Sequence, residues 1–427
     1  MYDLKRKSIQ TFLLIVCFFS LTNIVSADII NTIRNKISDT SSQIQKIEAE
    51  IKKYQSELEV IGTEKKTLQS EVSRLNVSAK KLGADISLTQ SKIQNTSLTI
   101  DELSIKIGDK EESITKSKKA LVASIRSIQL SDDTSLIEAM LTHTSLTDFW
   151  SNVDTLESFQ GKLQTNIEEL RTLKEILRKN QEVEMLKKEE LANLQGSLVD
   201  QRQIVDYNKR EKDKILAITK NQESKYQDYL EDAEERREQF EKELSQLESD
   251  LKIAIDPSLI PKSEKGILVW PLDKIIITQK FGNTAFAQSG AYNGRGHNGV
   301  DFGIPVGTPV KTAGSGTVEA VGNTDEVKGC YSYGKWVLVK HTTGLSTLYA
   351  HLSVIKTTAG QEVAVGDIIG YSGNTGYSTG PHLHFTVYST QGVRVIKLGE
   401  VKSISNCSSA TMPVAPFEAY LNPLNYL

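Results

Sequence analysis

Four histidines stand in three short motifs in the C-terminal third of the 427-residue chain, and their spacing could build a metal site. The motifs are His297-x-x-x-Asp301, Tyr349-x-His351 and His382-x-His384. Residues i and i+2 of a β-strand point to the same face, so His382 and His384 are expected to reach into one site. His297 and Asp301 lie at a glycine-containing junction between a loop and a strand, where they can bend toward a common point.

The donors in these motifs suit a borderline cation such as zinc, which binds imidazole nitrogens and carboxylate oxygens. Three protein ligands leave the fourth tetrahedral position for water, which is the catalytic arrangement of zinc. Taken singly, the motifs have simpler interpretations: a His-x-His pair can be exposed on a strand, and Asp301 could cap a turn. His341 follows a β-type run, so we expect a surface role at a strand end. Tyr292 is only a weak candidate for the site.

The segment that holds these motifs has the composition of a compact β domain. It contains 22 of the 27 glycines, all between Gly266 and Gly399. Short runs rich in Val, Ile and Thr alternate with glycine turns and predict strands, over Lys274–Gln279, Gly316–Val321, Trp336–His341 and Asp367–Tyr371. We predict an all-β domain over 266–427, preceded by a linker over 254–265 in which Pro257 and Pro261 end the helical region.

The region before the linker has the opposite character, because residues 28–256 contain no proline. Apolar residues repeat every three and four positions from Ile44 to Ile114, which is typical of a coiled-coil strand, and the pattern resumes at Leu163. We therefore predict a long antiparallel coiled-coil hairpin over 28–253. The repeat fails between Leu121 and Phe159, where capping-box motifs at Ser135 and Ser145 predict short helices around an apex over 121–159.

The first 27 residues resemble a secretory signal. A basic stretch leads into an apolar core from Phe12 to Phe19, and small residues precede Ala27, after which cleavage is expected. The alternative is a retained membrane anchor, although the apolar core is shorter than the roughly 20 residues of a spanning helix. An exported protein acts outside the cytoplasm, where Cys330 and Cys407 are expected to form a disulfide rather than stay as two buried thiols.

The three motifs together resemble those of the lysostaphin-type, LytM-like zinc metallopeptidases, metallopeptidase family twenty-three. His382-Leu383-His384 also stands in a Gly-Asn-Thr-Gly…Gly-Pro-His-Leu-His-Phe context that is similar to theirs. The resemblance covers about Val269 to Tyr388. It implies zinc ligands at His297, Asp301 and His384, with His351 and His382 as a catalytic pair beside the metal. Which of the pair acts as the base stays open.

The order of a signal, a coiled coil and this domain resembles the EnvC-like and PcsB-like murein hydrolases and hydrolase activators of cell division. The resemblance implies a secreted zinc endopeptidase that cuts peptide cross-links of peptidoglycan in cell-wall remodelling or daughter-cell separation. The alternative is a non-catalytic activator of a separate murein amidase. The coiled coil could bind a membrane-bound division partner. Nucleic acid is not expected as a partner, because 51 basic and 54 acidic residues leave a net charge of −3.

Overall fold

The computed structural model describes residues 2–62, 66–131, 146–250, 253, 255–284, 296–378, 380–401 and 407–427. Long N-terminal helices precede an antiparallel β domain, which confirms the predicted fold class. The four long helices are α1 (Tyr2–Gly62), α2 (Leu68–Ser131), α3 (Leu146–Thr219) and α4 (Glu223–Asp250). Within the described residues, none of the helices combines the length and the apolar character that a membrane span requires.

The predicted first arm is not one continuous helix. The apolar repeat runs from Ile44 to Ile114 without a break in phase, yet α1 ends at Gly62 and α2 begins at Leu68. The two helices are antiparallel, because Arg34 Nε lies 2.9 Å from Glu102 Oε1 and Asn95 Nδ2 lies 2.9 Å from Ser41 Oγ. Ile61 and Leu68 are seven residues apart in the sequence, so the hydrophobic repeat keeps its phase from α1 to α2 and does not reveal the break between the two helices.

Helices α2 and α3 form the antiparallel pair that the sequence predicts for the two arms. Ser104 Oγ is 2.7 Å from Glu184 Oε1, and Asn208 Nδ2 is 3.0 Å from the carbonyl oxygen of Leu75. The second arm is also interrupted, because Lys220 and Asn221 adopt left-handed backbone angles between α3 and α4, with φ of 49° and 57°.

Part of the apex predicted over 121–159 lies outside the described residues, namely 132–145. Residues 121–131 belong to α2 and residues 146–159 to α3. The capping motif at Ser145 begins outside the described residues, and its later residues lie in α3, which begins at Leu146. The motif at Ser135 lies outside the described residues.

The β domain consists of short antiparallel strands. The strands are β1 (Ile277–Gln279), β2 (Val300–Gly303), β3 (Pro309–Lys311), β4 (Gly316–Asn323), β5 (Lys335–His341), β6 (Leu345–Ile355), β7 (Glu362–Val363), β8 (Ile368–Ser372), β9 (His382–Ser389), β10 (Arg394–Lys397), β11 (Thr411–Val414) and β12 (Tyr420–Leu421). The main sheet has the order β1-β2-β9-β6-β5-β4-β7, β12 pairs with β9, and β8 joins β3 to β6.

All four predicted strand runs coincide with observed strands, although β1 is shorter than the run that predicted it. Strands β10 and β11 form a separate pair. The described part of the domain also contains a short helix, α5 (Leu398–Val401), and 3-10 turns at Thr324–Glu326, Phe417–Ala419 and Pro423–Asn425. Cross-strand packing of alternate residues explains why these Val- and Ile-rich runs form a sheet with a buried face.

The chain forms two compact units, residues 1–46 with 88–197 and residues 47–87 with 198–427. The second unit therefore contains α4 as well as the β domain. Phe240, Leu244 and Leu247 of α4 are buried in one hydrophobic cluster with residues of the sheet such as Trp336 and Tyr388. Burial of each such apolar side chain contributes about 1.5–3 kcal/mol. Helix α4 thus forms part of the hydrophobic core that contains Trp336 and Tyr388.

Candidate metal centre

Two neighbouring strands bring the residues of the first and third motifs together. Asp301 on β2 is the cross-strand partner of His384 on β9, and side chains of directly opposed residues lie close to each other. His297 stands just before β2, where its backbone forms a bridge with Gly282. The sheet register therefore fixes where the three side chains meet.

The three side chains offer ligand atoms that all lie within 4.8 Å of one another. Nδ1 of His384 is 2.9 Å from Oδ1 of Asp301, and Nε2 of His297 is 3.3 Å from the same oxygen. The two imidazole nitrogens are 3.1 Å apart. All three residues are buried. Burial acts to raise the pKa of Asp301, but its contacts with the rings of His297 and His384 hold that pKa well below its usual value, so the carboxylate stays charged.

Hydrogen bonds on the outer side of each ring determine which nitrogen faces the cluster. Nδ1 of His297 lies 3.1 Å from the carbonyl oxygen of Lys280, which can only accept, so this nitrogen carries the proton and Nε2 keeps its lone pair. Nε2 of His384 lies 2.9 Å from the hydroxyl oxygen of Thr386, which can accept a hydrogen bond from it. The proton is then on Nε2, and the lone pair of Nδ1 is left for a cation. Gly299 permits this packing, because a Cβ there would lie 2.8 Å from Cε1 of His384.

The donor set fits a zinc ion. Two imidazole nitrogens and one carboxylate are ordinary zinc ligands, and one carboxylate leaves a bound Zn²⁺ with net positive charge. The surrounding hydrogen bonds hold both rings in the tautomer that a metal requires.

His351 and His382 lie beside this cluster with their ring centroids 4.5 Å apart. Nδ1 of His351 donates to the carbonyl oxygen of Thr375 at 2.8 Å, and Nδ1 of His382 is 2.8 Å from the carbonyl oxygen of Gly380. In the neutral form of each ring, Nε2 is therefore the nitrogen that can act as a general base. Burial lowers the pKa of His351 well below its usual value, so its ring is neutral near pH 7.

The backbone at His351 is in the left-handed region, with φ of 60°. For a non-glycine residue this conformation costs about 1–2 kcal/mol. Strain of this kind persists only where the surroundings hold the residue in place, and it concentrates at functional sites. The amide of His351 donates to the carbonyl oxygen of Tyr333 at 2.9 Å, which supplies part of that support.

The five predicted site residues line one cavity of about 150 Å³. Other walls come from residues of the β domain, including Gln279, Asn298, Tyr333, Tyr377 and Ser378, and from α4, including Arg237, Phe240, Glu241 and Leu244. The guanidinium carbon of Arg237 lies 4.6 Å from the centre of the Tyr377 ring, in cation–π geometry. Helix α4 is therefore one side of the cavity.

Tyr333 lies next to the cluster, although the sequence motifs did not indicate this residue. Its ring stacks on His384 with centroids 5.8 Å apart, and its hydroxyl accepts a hydrogen bond of 3.2 Å from Asn298 Nδ2. Burial raises the pKa of Tyr333 to about 12, so the phenol keeps its proton. In the sequence, the available indication that Tyr333 lies near the site was its position three residues after Cys330. The predicted disulfide is present between Cys330 and Cys407.

His341 does not have the predicted surface role. It is at the end of β5, as expected, but it is buried, with Nδ1 3.1 Å from the carbonyl oxygen of Ser315 and Nε2 2.7 Å from the hydroxyl of Thr347. Both ring nitrogens thus have partners in the core, which is why the residue can be buried as a neutral imidazole. Tyr292 lies outside the described residues.

An antiparallel β domain with a buried His-Asp-His cluster and two further imidazoles has the features expected of a metallopeptidase domain. The sequence profile of Peptidase family M23 matches residues 295–396. This match identifies an M23 domain in the C-terminal part of the chain.

Named relatives match part of the chain. Peptidoglycan DD-endopeptidase ShyA of Vibrio cholerae is 46% identical over 89 residues, which are 21% of this chain and 19% of ShyA. Lysostaphin of Staphylococcus simulans is 43% identical over 94 residues, which are 22% of this chain and 18% of lysostaphin. The crystallised catalytic domain of lysostaphin has 30% identity and a TM-score of 0.25, over 35% of this chain and 90% of that domain. The chain thus spans about a fifth of the length of ShyA and of lysostaphin.

Proposed function

We propose that this protein is a zinc metalloendopeptidase that hydrolyses peptide cross-links of bacterial peptidoglycan outside the cytoplasm, in cell-wall remodelling or daughter-cell separation. The observation that carries the proposal is the meeting of His297, Asp301 and His384 within 4.8 Å, beside two imidazoles whose Nδ1 atoms each face a carbonyl oxygen. The substrate class is inferred from relatives such as the peptidoglycan endopeptidase ShyA.

In the proposed mechanism, His297 Nε2, Asp301 Oδ1 and His384 Nδ1 hold the zinc ion. When bound, zinc supplies Lewis acidity, which acidifies water and polarises the scissile carbonyl group. His351 or His382 would accept a proton from the attacking water at Nε2 and return it to the amine nitrogen as the C–N bond of the peptide breaks. The other ring, when it carries a proton at Nε2, would stabilise the oxyanion. The carbonyl oxygens of Thr375 and Gly380 keep both rings in the orientation that this exchange needs.

We also propose that α4 restricts access to the cavity. Phe240, Leu244 and Leu247 anchor the helix in the core of the domain, and Arg237 and Glu241 line the cavity itself. A peptide substrate has to displace or pass these side chains. Release of α4 would then be a step that controls activity.

A non-catalytic activator of a murein amidase is the second candidate. The packing of α4 against the cavity favours the activator, since the same surface could bind a helix of a partner protein. The presence of all three ligand residues and both extra histidines favours the enzyme. A membrane-bound division partner for the helical region stays a prediction.

The deciding experiment compares the full chain with its His384→Ala variant. We expect the wild type to purify with about one zinc per chain by elemental analysis and to release peptides from purified peptidoglycan, and we expect the variant to lose both properties. A zinc-free wild type, or equal digestion by both proteins, would support the activator. His341→Gln is the matched control, because it removes a buried histidine outside the site and should keep the zinc.

A further inference from the structure

The loop between β8 and β9 makes several hydrogen bonds to the segment that carries His351. The carbonyl oxygen of Thr375 accepts from Nδ1 of His351 at 2.8 Å. The hydroxyl of the same threonine donates to the carbonyl oxygen of Leu352 at 2.8 Å and accepts from the amide of Lys335 at 3.0 Å. The buried side chain of Thr375 is therefore hydrogen-bonded to Leu352, which follows His351, and to Lys335 at the start of β5. These two bonds fix the position of the Thr375 carbonyl group.

The strained backbone of His351 makes this support necessary. A residue with φ of 60° relaxes toward the right-handed or extended regions unless its neighbours prevent it. The amide of His351 is held by Tyr333, and its ring is held by the carbonyl group of Thr375. If the carbonyl group moved, the ring could rotate and Nε2 would no longer have a fixed direction.

The close packing of two glycines leaves the loop little freedom. A Cβ on Gly334 would lie 2.4 Å from the amide nitrogen of Gly376 and from the hydroxyl of Thr375. Only a glycine at position 334 lets β5 begin against this loop. The contact brings Thr375 within hydrogen-bond reach of Lys335.

Asp325 holds the other side of the loop. Its carboxylate accepts from the amide of Gly376 through both oxygens, at 2.9 and 3.1 Å. Gly376 has φ of 69°, so the chain turns sharply directly after Thr375. A charged acceptor at this amide fixes the turn, because hydrogen bonds to ionised groups are stronger than neutral ones.

We infer that Thr375 and Asp325 are positioning residues for the proposed hydrolysis: together they fix the carbonyl group that orients His351 and thereby its Nε2. Neither Thr375 nor Asp325 is one of the candidate metal ligands, which are His297, Asp301 and His384. The inference rests on the proposed function for its catalytic meaning, but the orientation of His351 can be measured without activity.

The test uses the full chain with Thr375→Val, Thr375→Ser and Asp325→Ala. Valine keeps the shape of threonine and removes the hydroxyl, whereas serine keeps the hydroxyl. We expect Thr375→Val to lower kcat about 10-fold or more with little change in KM, because a small misplacement of a catalytic group is costly. Thr375→Ser should stay near the wild-type rate, and the zinc content of all variants should equal that of the wild type.

Nuclear magnetic resonance of histidine labelled with ¹⁵N gives the second readout. The hydrogen-bonded Nδ1 proton of His351, assigned with a His351→Gln variant, should be present in the wild type and in Thr375→Ser, and weakened in Thr375→Val and Asp325→Ala. An unchanged signal in both of the latter variants would overturn the inference. If the wild type cleaves nothing, the proposed function fails, and the resonance still decides the positioning role. Asp325 is exposed, so its variant keeps the test decisive if Thr375→Val does not fold.

Discussion

Nδ1 of His384 lies 2.9 Å from Oδ1 of Asp301 because the two residues are directly opposed on antiparallel strands β9 and β2. The same register places His382, two residues earlier on β9, on the same face and 3.8 Å from that oxygen through its Nε2. One pairing of strands thus organises both the candidate ligands and one of the two extra imidazoles. The site is a property of the sheet rather than of a flexible loop.

Replacing either extra imidazole should separate metal binding from catalysis. In His351→Ala and His382→Ala the three ligand residues remain, so we expect the zinc content to stay near that of the wild type. Peptidoglycan digestion should fall by roughly 10²–10⁴-fold, the usual contribution of general acid–base catalysis. Elemental analysis and the rate of peptide release measure the two properties. Loss of zinc in either variant would instead assign that histidine to the metal.

Much of the site was predictable from the sequence because its parts are local. The i, i+2 spacing of His382 and His384 and the junction at His297–Asp301 limit the possible geometries once strands are assumed. The supporting contacts were not predictable in the same way. The left-handed angle of His351 and the bonds from Thr375 and Thr386 depend on strand register and loop packing, for which these residue types carry no distinctive pattern.

The helical region shows a second limit. Phe240, Leu244 and Leu247 repeat at the spacing of a coiled coil, but their partner is the core of the β domain. An apolar stripe indicates that a helix face is buried and does not identify the surface that covers it. For this reason, a deletion of the helical region over 28–250 would also remove part of the core of the β domain. A single substitution in α4 is a better test of whether this helix restricts access to the cavity.

Arg237→Ala should raise the basal rate of peptidoglycan digestion. Arg237 is buried against Tyr377 in the wall of the cavity, so its truncation removes a cation–π contact of about 1–2 kcal/mol and opens the site. A gain of about 5- to 30-fold corresponds to that energy. Lys242→Ala is the matched control, because it removes one positive charge from an exposed position on the same helix. Equal rates for both variants and the wild type would argue against restriction by α4.

The disulfide should stabilise the domain and the wall that carries Tyr333. Cys330 and Cys407 close a loop with a sequence separation of 77 residues. In the chain-entropy model a loop of this length corresponds to about 4 kcal/mol of stability. We expect the double variant Cys330→Ser, Cys407→Ser to have a lower free energy of unfolding by about 2–4 kcal/mol in urea. The wild type in reducing buffer should behave like the variant, and a midpoint that is insensitive to both changes would contradict the prediction.

The buried imidazole of His341 should make the stability of the domain depend on pH. Burial lowers its pKa below the ordinary value of 6.5, despite hydrogen bonds to backbone carbonyl groups. The unfolded chain therefore takes up a proton at this residue that the folded chain does not, and stability is lost as the pH falls through about 6.5. His341→Gln has no titrating group and should lose less free energy of unfolding between pH 7 and pH 5. Urea denaturation at both pH values, on zinc-free samples so that release of the metal does not contribute, measures the difference. Equal losses for the wild type and the variant would show that other groups control this range.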